Sequence, residues 1–403
     1  MRPIQAVSAE GERAVAKAAE LAAGYRLGAS DRDRAGYFDP QPIQAAIDCG
    51  LGAATIAVAR GGGGVRHPSD LMAVAATLAR GDGSAALAIN MHLGSVRGLG
   101  AVEGSPLVSD FLDGVTAGRT WLSAAVSEVG TNFFNPRSTL RRRPGGWTLN
   151  GDKIFATGSP MATHLITNVA VIGGEHDGHL ATALVATDQP GVEIIDDWDA
   201  MGMRASGSGR VRFADVDIDA GDCLVIPAGP VGAFSAGALV GRSMGNLANL
   251  AAMVGLAEEA TSIVAQRLGS ESRVVASPLA SRGTVRQSFG QMQADLYLAQ
   301  AVLRDLGRRC DDASSLERPL SLVEAHELMA EFQAAKVVTN GATIDVVNRA
   351  MELAGGSGYL AGHALSRLYR DVRAGPFMQP FTPHESLGYV ASVGLGLEPD
   401  PEA

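Results

Sequence analysis

The sequence has few cysteines, few aromatic residues and no excess of basic charge. Its three cysteines, Cys49, Cys223 and Cys310, are far apart and odd in number. This spacing gives neither a zinc-binding pair nor a disulfide framework, which predicts a reducing, cytoplasmic location. Lys and Arg number 33 against 43 Asp and Glu, a net charge of −10 at pH 7. A nucleic-acid-binding protein would show a basic surface, so we expect no nucleic-acid partner.

Long hydrophobic runs are also missing from the chain. No apolar run approaches the ~20 residues that a transmembrane helix needs. The segment from Met1 to Ala9 lacks the basic and apolar regions of a signal peptide, so we expect a soluble protein with no membrane partner. We expect no metal either, because His176 and His179 share one short polar loop without a third ligand.

The spacing of apolar residues divides the 403-residue chain into three parts. Helical spacing runs from Glu10 to Leu27 and again from Ser84 to Leu99. From Trp121 to about Cys223 the residues alternate as in strands, and Asn150-Gly151 predicts the turn of a β-hairpin. Helical spacing returns from Ala236 onward. These patterns predict an α+β protein.

The changes in spacing also suggest where the domains begin and end. We expect an N-terminal helical domain over residues 1–118, a middle β domain over 119–228 and a C-terminal helical bundle over 229–403. A chain of 403 residues is long enough to bury a large core.

Four segments, in this order, resemble the acyl-CoA dehydrogenase superfamily. They are SEVGTN (127–132), NGDKIFATGSPMATH (150–164), GMRASGSGRVRFADVDI (202–218), and LAGGSGYL with the following RLYRDVRAG (353–375). The resemblance covers nearly the whole chain. It implies the acyl-CoA dehydrogenase fold, with a β-barrel-like middle domain, a C-terminal four-helix bundle and a bound flavin, FAD or FMN.

The resemblance implies flavin contacts in the middle domain. Phe155 matches the family's aromatic residue over the flavin, where a planar ring can stack on the isoalloxazine. Thr157 matches the hydroxyl that reaches flavin N5, and Ser127 matches the one near the pyrimidine ring. Thr131 lies in the same flavin-contacting segment as Ser127. Outside this motif, Phe155 would be read as a core aromatic residue.

Two further groups of cofactor contacts are implied at the far end of the flavin. Gly355 and Gly356 would let the backbone approach the cofactor of a neighbouring subunit, although a plain helix C-cap explains them equally well. The family's pyrophosphate-binding Arg falls on Ser272, and the adjacent Arg273 could substitute for it. Glu352 replaces the family's Gln, and its charge would repel a diphosphate.

The sequence departs from a dehydrogenase at the catalytic base. An acyl-CoA dehydrogenase needs a carboxylate to remove the α-proton of a thioester. That position falls on Gln379, whose amide cannot accept the proton. The alternative position in the family, just before an Arg on a bundle helix, corresponds to Gly241 before Arg242. Glu385 lies near Gln379 in sequence, but its pattern favours a carboxylate on a helix surface.

The superfamily includes flavin monooxygenases that lack this base. They take reduced flavin from a separate reductase and form a C4a-hydroperoxide with O2, which oxygenates amines, sulfur compounds or aromatic rings. Such an enzyme needs a dry pocket and hydrogen-bond donors rather than a carboxylate. We interpret His92 and His384, with Gln379, as the catalytic candidates. A satisfied packing role for His92 and a solvent-exposed role for His384 remain equally good alternatives.

The leading hypothesis is therefore a flavin-dependent monooxygenase that acts on a small-molecule substrate. One alternative is an FAD-dependent acyl-CoA dehydrogenase with a relocated base, and another is a non-catalytic member of the fold. The resemblance also implies a homotetramer with a flavin reductase as partner. Apolar helix faces from Met244 to Val254 and from Leu328 to Ala342 are consistent with subunit packing.

Overall fold

The computed structural model describes residues 3–102, 104–222, 224–269, 279–378 and 380–399. The N-terminal part is helical. Ser8 begins its first helix by accepting a hydrogen bond from the Gly11 N–H, and Asp82 caps a later one by accepting from Ser84 and Ala85. The helices are α1 (Ala9–Ala35), α2 (Gln41–Asp48), α3 (Pro68–Ala79), α4 (Gly83–Leu99) and α5 (Pro106–Thr116).

The middle part of the chain forms one mixed sheet. Its strands are β1 (Leu122–Ala125), β2 (Thr139–Arg143), β3 (Gly146–Lys153), β4 (His164–Ile172), β5 (His179–Ala186), β6 (Val192–Ile195), β7 (Arg210–Asp219) and β8 (Leu224–Pro230). The strand order is β6-β7-β3-β2-β4-β5-β8, and β1 pairs with β4 in parallel. Alternating inward residues such as Val211, Phe213 and Val216 give the sheet a core of its own.

The hairpin turn predicted at Asn150-Gly151 is wrong. Strand β3 runs straight through these residues, with a register shift between Leu149 and Gly151 where it pairs with β7. A Cβ at Gly151 would lie 1.9 Å from the Ser138 Oγ, so the glycine permits close approach within the sheet rather than a turn. The actual turn lies at Pro144-Gly145, between β2 and β3.

The C-terminal part is again helical. Its helices are α6 (Ala236–Gly269), α7 (Gly283–Ser314), α8 (Leu322–Ala354), α9 (Ala364–Asp371) and α10 (Pro383–Gly394). Helix α8 packs against α6, α7 and α10. Ser321 with Glu324 and Thr382 with Glu385 form capping boxes that begin α8 and α10.

Helix α6 is the link between the three parts. It packs against α3 and α4 of the N-terminal part as well as against α8, and α4 also contacts β1. By length and composition alone α6 could cross a membrane, yet 83% of its apolar window is buried inside the protein. Its apolar character therefore fits a core helix.

Candidate functional site

A cavity of about 900 Å³ lies where α4 and α6 meet the sheet. Glycines spaced by four residues on α6 form part of its wall, namely Gly237, Gly241 and Gly245. A Cβ added at any of these three would meet no heavy atom within 4 Å. The missing side chains therefore widen the space in front of this helix face. A volume of this size is typical of a cofactor or substrate pocket.

Phe155 presents its ring to this cavity. It follows β3, lines the cavity and has 56% of its surface exposed. Its φ of +57° is unusual for a bulky residue and costs about 1–3 kcal/mol. The Trp198 ring meets it edge to face with centroids 6.0 Å apart, which leaves a face of Phe155 free. A planar aromatic ligand such as an isoalloxazine fits against such a ring.

Thr157 contributes a hydroxyl to the same wall. Its Oγ1 lies 2.9 Å from the Ser208 Oγ, which lies 2.6 Å from the Ser206 Oγ. The carbonyl of Thr157 accepts a hydrogen bond of 2.7 Å from the Ser123 Oγ. Thr157 and Ser208 both line the cavity. This chain of hydroxyls holds Thr157 in one orientation and allows it to donate to a ligand.

Ser127 is held beside Phe155 by the sheet. Its carbonyl accepts a 2.8 Å hydrogen bond from the Ile154 N–H, and its side chain lines the cavity. The next residue, Glu128, accepts from Lys153 Nζ at 2.5 Å, and Lys153 is fully buried. Burial lowers the pKa of Lys153 to about 8, while Glu128 opposes this shift. The pair fixes the two segments that carry Ser127 and Phe155.

Thr131 lies outside the cavity lining. Its Oγ1 donates to the carbonyl of Asn135 within the same loop, so its hydroxyl stabilises the loop. The structure thus brings Ser127, Phe155 and Thr157 together at the cavity and does not bring Thr131 to it.

His92 is completely buried and both of its ring nitrogens are used. Its Nδ1 accepts from the Leu122 N–H at 3.0 Å, so its Nε2 carries the proton and donates to the Gly52 carbonyl at 3.0 Å. Burial lowers its pKa to about 4. His92 does not line the cavity. The structure favours the packing role over a role as proton donor.

His384, Gly355 and Gly356 are exposed to solvent. His384 lies in the first turn of α10, away from the cavity lining, so the geometry favours the solvent-exposed alternative. Gly355 ends α8 with a φ of +64°, and its N–H bonds carbonyls of the last turn. The C-cap role is thus directly visible, and contact of Gly355 and Gly356 with a neighbouring subunit's cofactor stays a prediction. Gln379 and Arg273 lie outside the described residues.

The described residues that line the cavity include no aspartate and no glutamate. The alternative position for the catalytic base, on the bundle helix, is occupied by Gly241, which has no side chain. Glu385 instead accepts from the Thr382 N–H at 2.6 Å and caps α10, which agrees with the helix-surface interpretation. A thioester bound among these residues would find no carboxylate to remove its α-proton.

Arg242 is the functional candidate that sequence reasoning missed. Its guanidinium carbon lies 4.5 Å from the centroid of the Phe133 ring, at the cavity wall. Its Nε is buried and has no hydrogen-bond partner among the described residues. Burial lowers its pKa to about 10, so it is still charged at neutral pH. An arginine following a small residue on an apolar helix was the available signal.

Comparison with known proteins agrees with this geometry. Sequence models of the acyl-CoA dehydrogenase middle and C-terminal domains match residues 123–216 and 242–379. The chain is 32% identical to the amino sugar nitrososynthase RubN8 of Streptomyces rubradiris, over 98% of this chain and 92% of that protein. It is 26% identical to a dibenzothiophene monooxygenase of Mycolicibacterium goodii, over 94% and 91%.

A solved structure shows the same fold with ligands bound. KijD3 in complex with FMN and dTDP-3-amino-2,3,6-trideoxy-4-keto-3-methyl-D-glucose superposes with a TM-score of 0.90 at 29% identity, covering 98% of this chain and 96% of KijD3. The predicted fold and the monooxygenase hypothesis are confirmed, and the exposed Phe155 ring and the Thr157 hydroxyl fit a flavin. The chain belongs to the acyl-CoA dehydrogenase family and, within it, to the flavin-dependent monooxygenases, which use FAD or FMN to oxygenate small molecules.

Proposed function

We propose that the protein oxygenates the amino group of a nucleotide-linked amino sugar. The main support for an oxygenation reaction is the composition of the cavity wall. Its described lining has amides, hydroxyls and arginines but no carboxylate. The similarity to RubN8 and KijD3 supports the substrate class. Bound reduced flavin supplies the two electrons that activate O2. One oxygen atom joins the nitrogen, giving a hydroxylamine from an amine, and the other leaves as water.

The surrounding residues suit an amine that reacts through its lone pair. A protonated amine carries no lone pair, and a buried ammonium without a counter-charge loses its proton readily. The described cavity lining offers no carboxylate to stabilise the ammonium, and the Arg242 charge repels it. The amine is therefore held as the free base. Phe155 and Thr157 orient the flavin in this proposal, and the cavity walls exclude water.

We also propose that reduced flavin comes from a separate reductase, and that the protein is a homotetramer in the cytoplasm. Large apolar side chains exposed near the C-terminal end support subunit packing, namely Tyr359, Leu360, Phe377, Leu387, Leu395 and Leu397. Cys49 and Cys310 carry free thiols, as suits a reducing compartment. A monomeric mass by light scattering would refute the tetramer.

A pair of matched substrates tests the reaction. Purified protein is incubated aerobically with reduced FMN and either the dTDP-amino sugar found in KijD3 or the same sugar with a hydroxyl in place of the amine. We expect a product about 16 mass units heavier from the amine alone, detected by mass spectrometry. Oxygenation of dibenzothiophene or indole, with the amino sugar left unchanged, would contradict the proposed substrate class.

A further inference from the structure

We propose that Arg242 is the anion-binding residue of the cavity and that it recognises an anionic oxygen of a bound ligand. The ligand chemistry is a phosphate oxygen of a nucleotide substrate or the anionic ring of a reduced flavin. This inference goes beyond the proposed function, because it does not depend on which group is oxygenated.

The first step is the absence of a counter-charge. No hydrogen bond or ion pair within the described chain uses the guanidinium of Arg242, and its contact is with the Phe133 ring. Lys336 is a neighbouring cation, and its pKa is lowered first by burial and also by the charge of Arg242. Its Nζ donates to the carbonyls of Met378 and Phe381. A cation with no acidic partner in the described lining is a binding site for an anion.

The second step is the contrast with the other arginines of the cavity. Arg370 is paired with Asp33 and also donates to the Met201 carbonyl. Arg373 donates to the Asn348 Oδ1 at 2.6 Å and to the Tyr369 carbonyl. Arg370 is thus paired with a carboxylate, and the guanidinium of Arg373 bonds two neutral oxygens of the protein. Among the described arginines at the cavity wall, Arg242 alone keeps its donors for a ligand.

The third step is a set of buried polar atoms without partners at the same cavity. In the part of the chain that the structure describes, the Asn249 Oδ1, two turns further along α6, has no hydrogen-bond partner, and neither has the Asn90 Nδ2 on α4. Both residues are 3% exposed. Buried polar groups are rarely left unsatisfied, so these amides indicate that a polar ligand occupies the cavity that Arg242 lines.

The last step is the size of the effect. A hydrogen bond between a guanidinium and an anionic oxygen contributes about 2 kcal/mol. That energy corresponds to about a thirtyfold change in affinity. In the absence of ligand, the buried Nε has no partner among the described residues, which costs stability. Arg242 thus favours ligand binding at the expense of stability.

Binding measurements with Arg242→Gln test this inference. The probes are dTDP, oxidised FMN and anaerobically reduced FMN, titrated by calorimetry into wild-type protein, R242Q, R242K and the surface control R34Q. We expect R242Q to weaken binding of at least one probe about tenfold or more, R242K to retain most of the affinity, and R34Q to match the wild type. A loss for dTDP assigns the anion to the substrate, and a loss for reduced FMN alone assigns it to the flavin ring.

Thermal unfolding of the ligand-free variants completes the test. We expect the midpoint of R242Q to rise, because a buried Nε without a partner is removed together with its charge, whereas a structural arginine would give a lower midpoint. Unchanged affinity of R242Q for all three probes would overturn the proposal. A lower midpoint of R242Q, or its failure to fold, would equally overturn it by showing that the charge serves the fold.

Discussion

The imidazole of His92 lies flat against the indole of Trp121, with ring centroids 3.7 Å apart and an angle of 5° between the planes. Both rings are at most 2% exposed. The stack joins α4 to the start of β1, since Trp121 directly precedes that strand and Leu122 donates to the His92 Nδ1. His92 therefore fixes the helical part against the sheet.

The buried histidine should make stability depend on pH. Burial lowers the pKa of His92 to about 4 from an ordinary 6.5, so the unfolded chain takes up the proton first. The free energy of unfolding is therefore greatest above pH 6.5 and falls as the pH drops toward 4. A shift of this size contributes about 3 kcal/mol. Urea unfolding between pH 4 and 7 measures it.

The substitution His92→Gln should remove this part of the pH dependence. The substitution also removes the stack on Trp121 and the two hydrogen bonds of the imidazole. This loss should lower the free energy of unfolding at pH 7 by about 2 kcal/mol. The control His384→Gln changes an exposed residue and should keep the wild-type slope. An unaltered slope in H92Q would contradict burial of a neutral His92.

Replacing Phe155 by Ala should weaken flavin binding while leaving the ligand-free protein nearly as stable. The ring is 56% exposed, so its removal should change the free energy of unfolding by less than about 1 kcal/mol. Loss of stacking should raise the Kd for FMN about tenfold, as measured by quenching of flavin fluorescence. The control Tyr37→Ala removes another exposed ring, remote from the cavity lining. Equal Kd values for F155A and the wild type would argue against the stack.

Thr157→Val should weaken FMN binding through the loss of one hydroxyl. A hydrogen bond of this kind contributes about 1 kcal/mol, or about fivefold in Kd. The control Thr148→Val removes a hydroxyl on β3 that bonds Asp217 rather than facing the cavity, and its Kd should stay at the wild-type value. If T157V binds FMN as tightly as T148V and the wild type do, the hydroxyl of Thr157 makes no hydrogen bond to the flavin.

Lys153→Met should destabilise the middle part of the protein strongly. It leaves Glu128, whose side chain is 4% exposed, without its cation. Removal of one member of a buried ion pair typically lowers the free energy of unfolding by about 3–5 kcal/mol. The double variant K153M/E128M should be more stable than K153M alone, because no unpaired charge remains. A double variant less stable than K153M would show that the hydrogen bonds that Glu128 accepts from the Arg137 and Ser138 N–H groups outweigh the cost of its unpaired charge. Chemical unfolding measures all three proteins.

The fold, and the grouping of three predicted site residues at one cavity, could be predicted because they depend on local patterns. Ser127, Phe155 and Thr157 lie in short motifs whose order along the chain carries the information, and the structure brings all three to the cavity. The turn at Asn150-Gly151 could not be predicted correctly. Its outcome depends on Ser138 and Asp215, which approach these residues only after the sheet has formed.

The roles of His92 and Arg242 could not be predicted from the sequence, for a related reason. Whether a buried group is satisfied depends on contacts distant in sequence. His92 finds Gly52 and Leu122, 40 and 30 residues away, and so becomes a packing residue. Among the described residues, Arg242 contacts the Phe133 ring and its Nε has no hydrogen-bond partner. Nothing in the local sequence distinguishes these two cases.

The origin of the added oxygen tests the central claim most directly. The protein is supplied with reduced FMN, the dTDP-amino sugar and 18O2 in ordinary water, and the product is analysed by mass spectrometry. We predict that the product carries one 18O atom from the gas, and that acyl-CoA thioesters added without oxygen leave bound FMN oxidised. A product without the label, together with bleaching of the flavin by a thioester, would contradict the account.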